Sequence, residues 1–244
     1  MVTWLEDINS LPPDGTVGLL FSNELIDAFP VHRVEVSGGV LKEVFVNHRD
    51  GRFVECLQPL SDPALAGYLA RLDLTLPEGY RTEINLRAMN WMAGVSAGLS
   101  RGVVLTIDYG HSAQDLYGPD RAKGTLLCYH SQLTSEDPYT RVGLQDMTSH
   151  VDFTSLALAG QEAGLSLTGF TNQMSFLMGL GVEEMIGRLE PESPEFFGAL
   201  HLLQPNGMGR TFKILVQHKA MVEPQLDGLA FKPFFGSALT ATGH

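Results

Sequence analysis

The chain has 244 residues, 44% hydrophobic and 18% charged, a balance that supports one globular domain carrying an inserted subdomain and excludes fibrous and disordered classes. Sixteen Lys and Arg against 28 Asp and Glu leave a net charge of −12 without a basic block. That excludes nucleic acid and an anionic membrane as partners and favours a basic one. Cys56 and Cys128 stand far apart in neither metal nor redox spacing, so they read as reduced, buried thiols. The opening MVTWLEDINS lacks the basic and apolar regions of a signal peptide. No run approaches the roughly 20 apolar residues that span a bilayer, and the expected location is cytoplasmic.

In chain order, VGLLF at 17 to 21 follows the turn signal Pro12-Pro13-Asp14-Gly15, and VVLTI at 103 to 107 follows Gly102. Neither alternates, so both are expected to be strands covered on both faces. Between them, VHRVEVSGGVLKEVFVNHRDGRFVECL places Gly38-Gly39 and Asp50-Gly51 between three β-rich segments, the pattern of an antiparallel meander with two tight turns. Asp62 and Pro63 open a helix to Leu72, with Leu65, Leu69 and Leu72 on one face. A longer helix is expected from about Thr82 to Leu99. Residues 110 to 150 are rich in turn formers and read as a functional loop region with one short strand at TLLCY. DFTSLALAGQEAG predicts a helix capped by Asp152, followed by a strand near Leu165 to Phe170, a helix at PEFFGALHLL and a last strand at TFKILVQ. The tail after Met221 mixes Gly, Pro and Phe.

The strand–helix alternation points to an α/β fold, where ligands bind beyond the carboxyl ends of the strands. Both apolar strands end in acids there: Asn23, Glu24 and Asp27 after the first, and Asp108, Tyr109, Gly110 and His111 after the second. Converging carboxylates can hold a cation or share a proton, although Asn23 and Asp108 taken singly also suit simple turn caps. A second group, GLQDMTSHVDF, offers Gln145, Asp146 and His150 for substrate positioning or proton transfer, with a satisfied structural histidine as the plainer alternative. Its spacing matches no metal motif. Arg121, in YGPDRAKGTLLCY, could clamp a carboxylate or stand solvated in a loop. There is no G-x-G-x-x-G, P-loop, nucleophile elbow or H-E-x-x-H.

SNELIDAFPVHRV, IDYGH, YGPDRAKGTLLCY, DPYTRVGLQDMTSHVDFTSL and TNQMSFLMGLG, in that order, resemble the MidA-like family of S-adenosylmethionine-dependent methyltransferases, which includes a mitochondrial complex I assembly factor with arginine methyltransferase activity. The resemblance covers about Trp4 to Val216 and implies the C-terminal part of a class I, Rossmann-like methyltransferase sheet. NELIDAFP becomes its fourth strand end, beside the methyl donor S-adenosylmethionine and the substrate. On this basis residues 1–217 form a partial methyltransferase domain, with a meander inserted at 30–60, a substrate-side loop region at 110–150, and a tail at 218–244. The first three strands, with their Gly-rich cofactor loop and ribose-holding acid, are expected to be absent. Where the family leads us to expect a His after GTLLCY, this chain has Gln132, with His130 nearby.

The resemblance implies roles for the residues already picked out. Asn23 orients the donor or the acceptor, Glu24 and Asp27 bind and polarise a guanidinium, and Asp108 and Tyr109 line the acceptor pocket with Arg121, Gln145, Asp146 and His150. The expected partner is a basic protein substrate such as a respiratory complex subunit. Loss of three strands would leave VGLLF as an apolar sheet edge. A second copy, a separate chain carrying the missing half or another segment of this chain would then have to cover it. The competing reading is a non-catalytic interaction module that binds a basic partner segment.

Overall fold

The computed structural model describes residues 2–12, 15–131, 133–231 and 239. The chain enters through β1 (Thr16–Asn23), then builds the expected meander from β2 (His32–Ser37), β3 (Val40–Arg49) and β4 (Arg52–Gln58). Gly38 and Gly39 at φ +66° and +73°, and Asp50 and Gly51 at +51° and +76°, supply the left-handed residues that two-residue hairpin turns require. Helix α1 (Ala64–Arg71) follows, its first amide donating to Asp62 Oδ1 at 2.8 Å.

The next element departs from the sequence reading. The helix expected from Thr82 to Leu99 begins only at Leu86: residues before it form β5 (Arg81–Ile84), which pairs antiparallel with β2. Asn85 ends that strand and caps α2 (Leu86–Gly98) by accepting from Ala88 N at 2.8 Å. A four-residue strand carries too short a pattern to be separated from a following helix, so cross-strand pairing with β2 decided it. The resulting small sheet has the order β4-β3-β2-β5.

The main sheet is built on β6 (Leu99–His111). After α3 (Ala113–Leu116), a three-stranded sheet of β7 (Leu127–His130), β8 (Leu133–Ser135) and β9 (Asp146–Thr148) occupies the region read as loop. β10 (Val151–Asp152) adds to the end of β6, and α4 (Phe153–Glu162), β11 (Ser166–Asn172), α5 (Gln173–Gly179), α6 (Val182–Ile186), α7 (Pro194–Leu203), α8 (Met208–Thr211) and β12 (Phe212–Lys219) follow in order. The order is β1-β6-β12-β11, with β1 parallel to β6 and β12 antiparallel to both β6 and β11.

Two apolar clusters hold these layers. Ile26, Met92, Val95, Leu99, Phe153 and Leu156 are buried where α2 and α4 cover one face of the main sheet. Val34, Leu65, Tyr68, Ile84 and Leu116 join α1 to the small sheet. The expectation that VGLLF is covered on both faces fails. Leu20 packs toward the first cluster, but Val17, Leu19 and Phe21 are 72%, 59% and 58% exposed, and β1 is a sheet edge. Side chains alternate along the strand, so Leu20 meets the layer formed by α2 and α4 while Val17, Leu19 and Phe21 point to the opposite, open face. Among the described residues no helix is long and apolar enough to cross a membrane.

Candidate functional site

The register of the two parallel strands sets Asn23 against Ile107, so β1 ends beside Asp108. Glu24 then takes a left-handed conformation at φ +47° and turns the chain, its amide still bonded to Ile107 O at 3.0 Å. The next three amides turn inward onto one carboxylate oxygen. Asp108 Oδ2 accepts from Leu25, Ile26 and Asp27 at 3.2, 2.9 and 3.4 Å, while Oδ1 accepts from Tyr109 N at 2.9 Å. Asp108 is fully buried and therefore does not line an acceptor pocket: it holds the NELIDAFP turn in shape. Burial, reinforced by the charge of Asp27, pushes its carboxyl up to about 6. Asn85 fastens the same turn to α2 by donating to Ile26 O at 3.2 Å.

That turn delivers Asp27, 4% exposed, to the side of Tyr109. The Tyr109 hydroxyl donates to Asp27 Oδ2, and Asp27 Oδ1 is buried with no hydrogen-bond partner among the described residues. Burial first, and that hydrogen bond second, hold the phenol protonated far above its ordinary range. The Tyr109 ring packs edge-on against Phe212 at 5.4 Å and His150 at 6.1 Å. Behind it His111 Nε2 meets His150 Nδ1 at 3.1 Å. Burial is the main cause that lowers His111 to about 3 and His150 to about 4, so both rings are neutral at neutral pH. Lys213 lies in register with Asp108, is 6% exposed and is lowered to about 8 mainly by burial; its Nζ donates to Arg210 O at 2.5 Å.

In front of Asp27 opens a cleft of 510 Å³. Its walls are the 27–31 turn, Val46 and Phe53 from the meander, and Tyr139, Val142 and Met147 from the segment between β8 and β10. Tyr139 stacks on Phe53 at 5.9 Å and donates to Glu55 Oε1 at 2.9 Å. Arg33, also at the wall, is neutralised by Glu55 at 2.6 Å.

The residues singled out from sequence therefore separate into groups. Asp27, Asp108, Tyr109 and His150 come together. Asn23 and Glu24 are exposed at the tip of β1, the amide of one 3.5 Å from the carboxylate of the other. Gln145 is half-buried and braces the cleft wall through Pro138 O at 3.0 Å, whereas Asp146 is exposed. Arg121 lies away from the cleft and donates to Asp115 O at 2.7 Å at the end of α3. Asp152 is the expected cap of α4, accepting from Ser155 N at 3.0 Å, and also takes the hydroxyls of Tyr68 and Tyr117. Gln132 lies outside the described residues; its neighbour His130 is 2.7 Å from Leu144 O. Sequence reasoning placed His111 at the strand end without giving it a role and passed over Lys213. His111 carried a signal, since it ends the IDYGH strand, but Lys213 is recruited only by the antiparallel pairing of β12 with β6.

Comparison with known proteins gives the family and the fold. Residues 1–171 match the model of a family described as "Putative S-adenosyl-L-methionine-dependent methyltransferase". The chain belongs to this methyltransferase family. A crystal structure from Burkholderia thailandensis, bound to S-adenosyl-homocysteine, superposes with a TM-score of 0.82 at 33% identity over 93% of this chain and 59% of the other. A second, native structure from the same organism gives 0.81 at 32% identity, over 90% and 59%. The protein named arginine methyltransferase NDUFAF7 homolog, mitochondrial, from Drosophila melanogaster is 25% identical over 240 residues, covering 91% of this chain and 51% of its own. The methyltransferase chain thus spans between half and three fifths of the length of these relatives. The fold is the mixed α/β fold of these methyltransferase neighbours, with an antiparallel meander inserted after its first strand here.

Proposed function

We infer that this chain is the acceptor side of a methyltransferase that transfers a methyl group from S-adenosylmethionine to an arginine nitrogen of a basic protein, a respiratory complex subunit being the substrate that the family resemblance implies. The carrying observation is the buried Asp27 carboxylate at the base of an apolar cleft, one oxygen held by Tyr109 and the other without a partner among the described residues. A carboxylate oxygen in that state matches a guanidinium N–H, and an acidic chain attracts a basic segment. The Drosophila relative's name as an arginine methyltransferase supports the choice of arginine. The free thiols of Cys56 and Cys128 suit a reducing compartment, the cytoplasm or the mitochondrial interior.

S-adenosylmethionine supplies an electrophilic methyl carbon on a sulfonium, which leaves as a neutral thioether when that carbon bonds to nitrogen. The exposure of Asn23 and Glu24 at a strand tip fits one wall of a donor site rather than an enclosed cradle. A segment that adds a parallel strand to the open edge of β1 would complete it, covering the apolar face formed by Val17, Leu19 and Phe21 and the adjoining 780 Å³ groove. Within this chain, Asp27 Oδ1 would accept a guanidinium N–H and hold that nitrogen for methyl transfer. Tyr109 fixes the other oxygen, and Asp108 fixes the turn that carries Asp27. Asp27 then takes the proton that the methylated nitrogen releases.

The test is radiometric methyl transfer to arginine and lysine peptides, with donor affinity measured by calorimetry. Arginine-specific labelling that drops by about 100-fold or more in Asp27→Asn supports the reading. Labelling of lysine alone, or wild-type rates for the variant, would sink it. The exposed β1 edge also favours a second reading, a binding module without catalysis, which predicts peptide binding with no methyl transfer even when a strand-adding segment is supplied.

A further inference from the structure

The cleft in front of Asp27 combines one buried, uncompensated carboxylate oxygen with walls made almost entirely of apolar side chains. Val46, Phe53, Val142 and Met147 stand 51%, 44%, 57% and 50% exposed around it. These walls come from three separate parts of the chain and do not collapse onto one another: Phe53 is stacked on Tyr139, and the Tyr139 hydroxyl is tied to Glu55. Glu55 is in turn clamped by Arg33 and Arg81, each at 2.6 Å, so the wall is set before anything enters. The same clamp removes the electrostatic objection to a cationic guest, since Glu55 at 2.6 Å and Glu83 at 3.8 Å neutralise the Arg33 guanidinium. What remains is a negative point at the base and an apolar surface above it.

We propose that this cleft selects arginine acceptors flanked by bulky apolar residues and discriminates against arginine in Gly- and Ser-rich segments. The inference rests on the arginine reading above and deepens it. A guanidinium reaching Asp27 Oδ1 brings its neighbours against Phe53, Val142 and Met147. Branched side chains there leave water and bury area, whereas Gly and Ser leave the walls wet. Burial of one or two such side chains is expected to give on the order of a tenfold gain in affinity or more.

Four fluorescent peptides of equal length separate the inference from the reading on which it rests. They carry arginine or citrulline at the centre and Val/Leu or Gly/Ser flanks, and binding is followed by anisotropy with the whole chain and with Phe53→Ser/Met147→Ser. The expected result is a flank preference of about tenfold or more that the double variant abolishes. Val142→Ser, at an exposed position, serves if the double variant does not melt like the wild type. Equal affinity for both flank types, a preference that survives the substitutions, or no binding by any peptide overturns the inference. If the Val/Leu citrulline peptide binds as tightly as its arginine counterpart, the flank inference stands and the arginine reading falls.

Discussion

Gly110 sits between Tyr109 and His111, and a methyl group there probes the packing that assembles the site. A Cβ built on Gly110 falls 2.1 Å from Val151 O, 2.7 Å from Val151 N and 2.9 Å from Val151 C. These are backbone atoms of β10, the strand paired with β6 at this position, and they cannot swing aside as a side-chain end would. Relief requires the backbone to separate by about 1 Å, which carries His150 away from His111 and Asp152 away from its tyrosine partners. Overpacking of this kind costs about 1–3 kcal/mol, and loss of one ladder hydrogen bond adds about 1 kcal/mol. For a chain of this size Gly110→Ala should then melt roughly 5–15 °C below the wild type. Gly67→Ala is the contrast: Gly67 lies inside α1 with nothing within 4 Å of the added carbon. It should gain about 0.5–1 kcal/mol from helix propensity. Thermal and urea denaturation followed by circular dichroism read both variants. If Gly110→Ala melts within about 2 °C of the wild type, β10 is not packed on β6 as described and the contact argument is wrong.

The buried histidine pair predicts a pH dependence. His111 and His150 are lowered to about 3 and about 4, so below about pH 6.5 the unfolded chain binds protons that the folded chain refuses. Their contribution is fully present above that pH and is lost as pH falls toward 4. His150→Gln should flatten the fall by up to about 3 kcal/mol, and stability curves that stay parallel between pH 7.5 and 4.5 would contradict it. Tyr139→Phe removes the hydroxyl donated to Glu55 and should cost about 1 kcal/mol, with faster amide exchange in residues 137–145; unchanged exchange argues against a preset wall. Leu19→Ser, at a site 59% exposed, should leave the stability of the isolated chain within about 0.5 kcal/mol while weakening association with any strand-adding segment. A large loss of stability would show that the face is already covered.

Much of this arrangement is legible in the sequence wherever local chemistry decides. The meander follows from two Gly-containing turns that only left-handed residues can make, and Asp152 caps α4 because an acid before a helix satisfies its first amides. The strand-end motifs led to the Asp27–Tyr109 cluster because a parallel sheet gathers ligands at its carboxyl edge. Side-chain roles were less accessible. Asp108 reads as a site acid in IDYGH, and only the register of β1 on β6 shows its oxygens turned to the amides of residues 25–27. Arg121 reads as a clamp, yet its reach ends at a carbonyl of α3. β5 escaped notice because its partner, β2, lies more than forty residues earlier in the chain.

The sequence by itself determined the meander and its turns, the longer strands, the capped helices and the family, because each depends on residues within a few positions or on motifs kept in order. Tertiary structure decided which acid remains available. Asp27 and Asp108 are alike in composition and context, but one is spent on backbone amides while the other keeps a free oxygen beside Tyr109 and an apolar cleft. That difference arises from pairing across more than eighty residues, which local pattern does not encode.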